Sequence, residues 1–255
     1  MSVIRIGVVP YLNACVLIDG LDGRAGIEIH RIRPSGLAGM LKEGRIDVAL
    51  LPAADFHDHS VAWQMVCPYG IVCDGPAWTV RIFSDAPLEE ISQLHVDADS
   101  HSSLALAKII FLEWQRRSVA FIPGEFKDKI GTSDQAWLLI GDKAMAGPVK
   151  PYVYDLGNLW RDRTSLSFVF ALWVAPQSAA IDGLSELLTE VAERNLCRID
   201  DLAKQYGPKH GFDVPAAREY LGNVLKYRIG SRELDGLALF GRLHKKRQRR
   251  ERISV

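Results

Sequence analysis

The polar residues of this chain that could act on a small ligand stand in turns that follow short apolar runs. Tyr11 and Asn13 come directly after the IRIGVVP run, and Ser100, His101, Ser102 and Ser103 separate HVDAD from LALAKIIFLEW. In both places a strand-like run leads into a polar turn and then a helix-compatible run. A helix that starts there aims free N–H groups and a positive dipole end at whatever lies over the strand end. Such a construction suits a carboxylate ligand. Asn13 has the alternative of capping its helix, and Ser102 and Ser103 have the same alternative. A second cluster, Asp55, His57, Asp58 and His59 in DFHDH, carries metal-ligand residue types. His-x-His flanked by carboxylates is a weak metal pattern, and a solvated loop is the better reading.

The elements that must position these turns follow from the apolar pattern. Gly26 to Arg33 (GIEIHRIR) alternates as a strand, Pro34 and Ser35 cap a short helix that stops at Gly44, and Ile46 to Leu51 is a buried strand ending at Pro52. This alternation predicts a parallel α/β sheet, with the strand ends at Pro10 to Asn13 and Pro52 to Asp55 opening on one mouth. Trp63 to Phe83 reads as further short strands with Gly70, Gly75 and Pro76 as breakers, Thr79 lying on one side with Arg81 and Phe83. The pattern then restarts with a strand from His95 to Asp99 and a helix from Leu104 to Trp114. Trp137 to Ile140 is a strand ending at Gly141-Asp142-Lys143, the Arg163-Thr164-Ser165 turn is polar, and Phe168 to Val174 is a strand. From Ala179 the spacing predicts helices over Ile181 to Asn195, Ile199 to Tyr206, Val214 to Val224 and Ser231 to Lys245. Two lobes are expected: lobe I from residues 1–84 and 177–255, and an inserted lobe II from 85–176, hinged near Ser84 and Pro176.

Composition narrows the function classes. The 255 residues have room for two cores, and Lys+Arg and Asp+Glu both total 31, so charge gives no reason to expect nucleic acid or an anionic membrane as partner. The four cysteines, at 15, 67, 73 and 197, have no metal-ligand spacing and are expected as buried, reduced thiols. No signal segment or membrane span is evident, so a cytoplasmic protein is expected. The basic stretch from Arg242 to Arg252 reads as a solvated, frayed end. Trp78, Trp160 and Trp173 read as packing residues rather than ring-stacking platforms.

Seven segments occur together and in order: VPYLNACVL, DVALLP, DGPAWTV, DSHSSLALAKI, LLIGDKAM, YDLGNLWRDRTSLSFVFALWV and YLGNVLKYRIGSRELDGLALF. Together they resemble the chorismate dehydratase family of the futalosine route to menaquinone. The resemblance implies an α/β, two-lobed, type II periplasmic-binding-protein-like fold with a helical C-terminal part. It also implies a metal-free and coenzyme-free lyase, monomeric or homodimeric, that takes a small dicarboxylate, chorismate, to 3-[(1-carboxyvinyl)oxy]benzoate. Asn13 matches the catalytic candidate of the Tyr-Leu-Asn turn. Thr79 stands where the family's GPVxSV element has Ser, and is the second catalytic candidate. Tyr11, Ser100, His101, Ser102, Ser103, Asp142 and Thr164 are the expected substrate-binding residues. The chain departs from the family at His101, where an Arg is expected, at Ala53, where Ser is common, and at Thr164 to Phe168, where TGLPF is usual. His101 lacks the guanidinium fork and, unperturbed, is largely neutral at pH 7. Two alternatives remain on the same fold: a non-catalytic or altered-specificity carboxylate-binding protein, and a 1,4-dihydroxy-6-naphthoate synthase-like enzyme.

Overall fold

The computed structural model describes residues 3–97, 99–124, 134–180 and 182–253. Strand β1 (Ile4–Val8) leads through a 3-10 turn (Leu12–Ala14) into the single-turn helix α1 (Cys15–Ile18). There follow β2 (Ile27–Arg31), α2 (Pro34–Lys42), β3 (Val48–Pro52), α3 (Ala53–Asp58) and the long β4 (Trp63–Cys73). The chain then builds β5 (Val80–Ser84), β6 (Gln93–Val96), α4 (His101–Lys108) with a π-helical extension to Trp114, β7 (Ala120–Pro123), β8 (Gln135–Ile140), α5 (Asp142–Met145), β9 (Tyr152–Asp155) and α6 (Leu156–Thr164). It returns through β10 (Phe168–Pro176), α7 (Asp182–Leu196), α8 (Ile199–Tyr206), α9 (Val214–Glu219) with a π-helical turn to Val224, β11 (Leu225–Arg228) and α10 (Ser231–Ile253).

Two sheets result. The first has the order β11-β4-β10-β3-β1-β2, and the second β7-β6-β8-β5-β9. β1 pairs in parallel with β2 and β3, as the strand–helix alternation predicts. β10 lies antiparallel between β3 and β4. Its first eight residues are buried, and FVFALWVA accordingly shows no polar alternation, because the strand is covered on both faces. The sheets do not divide at residues 84 and 176. Val80–Ser84 pairs with β8 and β9 and so belongs to the second sheet, whereas Phe168–Pro176 belongs to the first. The chain therefore crosses between sheets at 74–79 and 156–167.

Other elements also depart from expectation. β4 is one eleven-residue strand with Gly70 inside it, not a set of short strands. Gly70 is there because a Cβ would run into the Ala171 carbonyl where β10 and β4 slip register, so its role is close backbone approach rather than strand breaking. The basic stretch is not frayed but continues α10 to Ile253, with His244 and Arg247 buried and Lys246 and Arg250 paired with Glu113. Three thiols are buried, with desolvation pushing Cys15 and Cys67 up to about 12, but Cys197 is exposed. The predicted helix over Ile181 to Asn195 is α7; Ile181 itself lies outside the described residues, as does Ala98 of the strand expected from His95. Trp160 and Trp173 are fully buried, and Trp78, at φ 60°, stacks on Tyr220 with ring centroids 6.4 Å apart. No described helix is long and apolar enough to cross a membrane.

Candidate active site

The ends of β1 and β3, the crossing that precedes β5, and the N-terminus of α4 converge on one cavity between the two sheets. It holds about 580 Å³ of space, its open mouth and the solvent in it included. Tyr11, Asn13, Thr79 and all four residues from Ser100 to Ser103 line it. The remaining wall is mostly apolar, from Val9, Ile71, Ile140 and Phe170 among others.

On the first-sheet side Asn13 sits inside the 3-10 turn and caps nothing; the position before that turn is Tyr11, which makes no side-chain cap bond either. Asn13 lines the cavity, and its Oδ1 is buried without a hydrogen-bond partner among the described residues, a strong acceptor left unpaired at the cavity wall. Beside it, Thr79 Oγ1 lies 2.7 Å from the Tyr220 hydroxyl. Burial holds the Tyr220 phenol well above its ordinary value, and hydrogen bonds from Thr79 and Asn13 offset this only in part. Tyr220 therefore stays a neutral, proton-bearing group. The turn is fixed from across the cleft: Asp142 at the start of α5 accepts the Leu12 N–H at 3.3 Å and holds His210 Nδ1 at 2.7 Å. Gly141, at φ 61°, lies against the Tyr11 ring, where a Cβ would come within 2.7 Å of the ring carbons. Asp142 thus supports the Tyr11–Asn13 turn rather than lining the cavity.

The α4 side is built differently from a row of cap serines. Ser100 holds the cap position without a cap bond, and its Oγ is buried and has no partner among the described residues. Ser102 Oγ accepts the Ala54 N–H at 3.2 Å and donates to the Phe170 carbonyl at 3.0 Å, stitching α4 to α3 and β10. Asp99 accepts the Ser35 hydroxyl at 2.9 Å from α2. His101 Nδ1 lies 2.8 and 2.9 Å from the two oxygens of Asp55. That carboxylate, against the cost of burial, raises the imidazole above its ordinary value.

Thr164 does not reach the cavity. Its Oγ1 donates to the Trp160 carbonyl and accepts the Leu166 N–H, so it closes the end of α6. Two site residues, Tyr220 and Asp99, were not foreseen, and for Asp55, expected at the mouth, the bond to His101 was not. Tyr220 sits in an apolar helical pattern that reads as core, and Asp55 in a stretch that reads as loop. The DFHDH stretch is instead α3, packed under α10. His57 Nε2 bonds the Leu237 carbonyl at 2.9 Å, His59 stacks on Trp63, and Asp58 pairs with His244. No metal-binding cluster occurs among the described residues.

Burial depresses the His57 pKa to about 4 from 6.5. The unfolded chain then binds more protons than the fold between those values, so stability present above pH 6.5 is lost as the pH falls toward 4. Urea unfolding at pH 7.5 and pH 4.5 should show this loss, and His57→Gln should reduce it; an unchanged slope would remove His57 as its source.

The menaquinone biosynthesis family model matches residues 4–246. The chain belongs to that family. Within reach of this family chain, the chorismate dehydratase of Thermus thermophilus is 23% identical over 260 residues, covering 92% of this chain and 93% of that protein. A protein of Archaeoglobus fulgidus has a similar structure, with TM-score 0.75 at 13% identity over 96% of this chain and 97% of that one. The alkanesulfonate-binding protein SsuA of Xanthomonas axonopodis pv. citri follows the same path with TM-score 0.67 at 11% identity, covering 97% and 94%. The menaquinone biosynthesis family member described here thus has a periplasmic-binding-protein-like fold, with its cavity in the cleft between the two sheets.

Proposed function

We propose that this protein is a chorismate dehydratase of the futalosine route, acting in the cytoplasm on chorismate held between its two lobes. The observation that carries this reading is the unpaired Asn13 Oδ1 beside the Thr79–Tyr220 pair, at the turn that resembles the family's Tyr-Leu-Asn element. Family membership and the full-length likeness to a chorismate dehydratase support it.

The reaction breaks a ring C–H bond and the neighbouring C–OH bond, forms one π bond, and releases the proton and hydroxide as water. Aromatisation supplies the driving force. An amide oxygen is too weak a base to hold the ring proton, so Asn13 acts by accepting a hydrogen bond from the substrate's hydroxyl and fixing the C–O bond in the eliminating geometry. Thr79, backed by the neutral Tyr220, supplies hydroxyl donors on the same side, where the departing oxygen gains charge. Ser100 and Ser103, with the N-terminus of α4, bind a carboxylate opposite. The apolar wall keeps bulk water from the ring.

Purified protein incubated with chorismate should consume the diene absorbance and accumulate the enolpyruvyl benzoate. Chorismate that binds and is recovered intact would instead identify a binding protein on the same fold.

A further inference from the structure

Of the described residues that line the cavity, only His101 can carry a positive charge. Asp99 brings a carboxylate, and the rest are neutral. His101 belongs to α4, which follows β6 of the second sheet, whereas Asp55 belongs to α3, which follows β3 of the first. The 2.8 Å contact therefore spans the cleft. Asp55 is 8% exposed and occupies Nδ1 with both oxygens, which leaves Nε2 as the ring's other donor; no described residue hydrogen-bonds it. We infer that His101, protonated and oriented by Asp55 from the opposite lobe, is the cation that binds a ligand carboxylate in this cavity, so that carboxylate affinity is set by pH.

The charged groups that face His101 are consistent with a cation. Asp55 and Asp58 lie on α3, and Asp99 in the turn before α4, and all three favour the protonated ring. Two of them are shared: His244 of α10 holds Asp58 at 3.0 Å, and Arg33 approaches Asp99 at 3.8 Å. Asp55 is the one carboxylate in direct contact. Its two-oxygen grip on Nδ1 favours the charged imidazole, as intrinsic basicity does for an arginine. The difference is that this charge titrates. With the folded-state value above 6.5, the cation is fully present below that value and is lost as the pH rises through the raised one.

The inference rests on the cavity taking a carboxylate, as the proposed function requires, but it is tested by binding rather than turnover. Calorimetric titration of the full chain with 3-hydroxybenzoate, and with 3-hydroxybenzamide as the uncharged control, would be run from pH 5.5 to 9. The wild type should bind the carboxylate more weakly as the pH rises, while the amide shows no such trend. His101→Gln should weaken carboxylate binding at pH 6 by about tenfold to a hundredfold, the worth of a charged hydrogen bond, and flatten the profile. His101→Arg should restore affinity without the pH dependence, and Asp55→Asn should move the transition to lower pH. Carboxylate affinity and pH dependence that survive in His101→Gln would overturn the inference, as would failure of the wild type to bind the carboxylate at any pH. Chorismate turnover measured on the same preparations separates the two readings. Turnover with an unchanged His101→Gln profile removes the role of His101 and leaves the dehydratase standing. A His101-dependent profile without turnover does the reverse.

Discussion

Replacing Asn13 by Ala is expected to lower chorismate turnover by about a hundredfold or more, the scale of removing one group aimed at a developing charge or a breaking bond, with the fold unchanged. The two halves of this expectation have separate causes. Asn13 caps no helix, and its Oδ1 has no partner among the described residues, so truncation removes no acceptor bond seen to hold the fold. The turn itself is held by the Leu12 N–H to Asp142 and by Tyr11 against Gly141, neither of which the substitution touches. What the variant loses is the acceptor for the leaving hydroxyl and the link to Tyr220. Steady-state kinetics beside circular dichroism and thermal unfolding would show it. Near-wild-type kcat in a folded variant would take Asn13 out of the mechanism.

The second large effect concerns stability. Trp160→Ala is expected to cost about 3–5 kcal/mol, read as a lower urea midpoint and a Tm reduced by roughly 10 °C. Trp160 is fully buried on α6, where the chain passes from the second sheet back to the first. Its ring meets Phe168 of β10 edge-on at 5.1 Å and Phe240 of α10 at 6.3 Å, and tilts against Trp114 at 5.8 Å. Its Nε1 donates to the Ser167 carbonyl at 3.2 Å. Truncation leaves a cavity among aromatic rings from separate elements, which cannot all move in, and strands a buried carbonyl. Arg161 of this crossing and Arg232 of α10 both pair with the Asp74 carboxylate of the other crossing. A loss below 1 kcal/mol would mean that the crossing repacks freely.

How much of this was legible in the sequence depended on whether local pattern or distant contact decided the outcome. The first strand, the parallel pairing around it, and helices such as Ile199–Tyr206 follow from periodicity and turn residues alone. The Tyr11–Asn13 and Ser100–Ser103 turns were visible for the same reason, as polar residues between a strand and a helix, and they do meet in one cavity. The lobe boundary was not visible, because strand assignment to a sheet is fixed by partners far along the chain. Val80–Ser84 and Phe168–Pro176 look alike as buried strands, yet they belong to different sheets. Helix α3 is six residues long and too short to show a period, so its acidic and histidine residues read as loop. The bond between Asp55 and His101 was missed with it. Thr164 was expected in the site because its turn belongs to a recognisable block, but a hydroxyl after a helix is equally suited to closing that helix. Tyr220 looked like core and is core, fully buried, while its hydroxyl alone reaches Thr79.

Reaction with chorismate deuterated at the ring carbon that bears the enolpyruvyl ether tests the central claim most directly. Elimination across that carbon and its hydroxyl-bearing neighbour predicts enzyme-dependent release of the label to solvent, with an aromatic product that equals chorismate less water and keeps its enolpyruvyl group. Recovery of labelled chorismate from the closed cavity, intact after saturating binding, would contradict it.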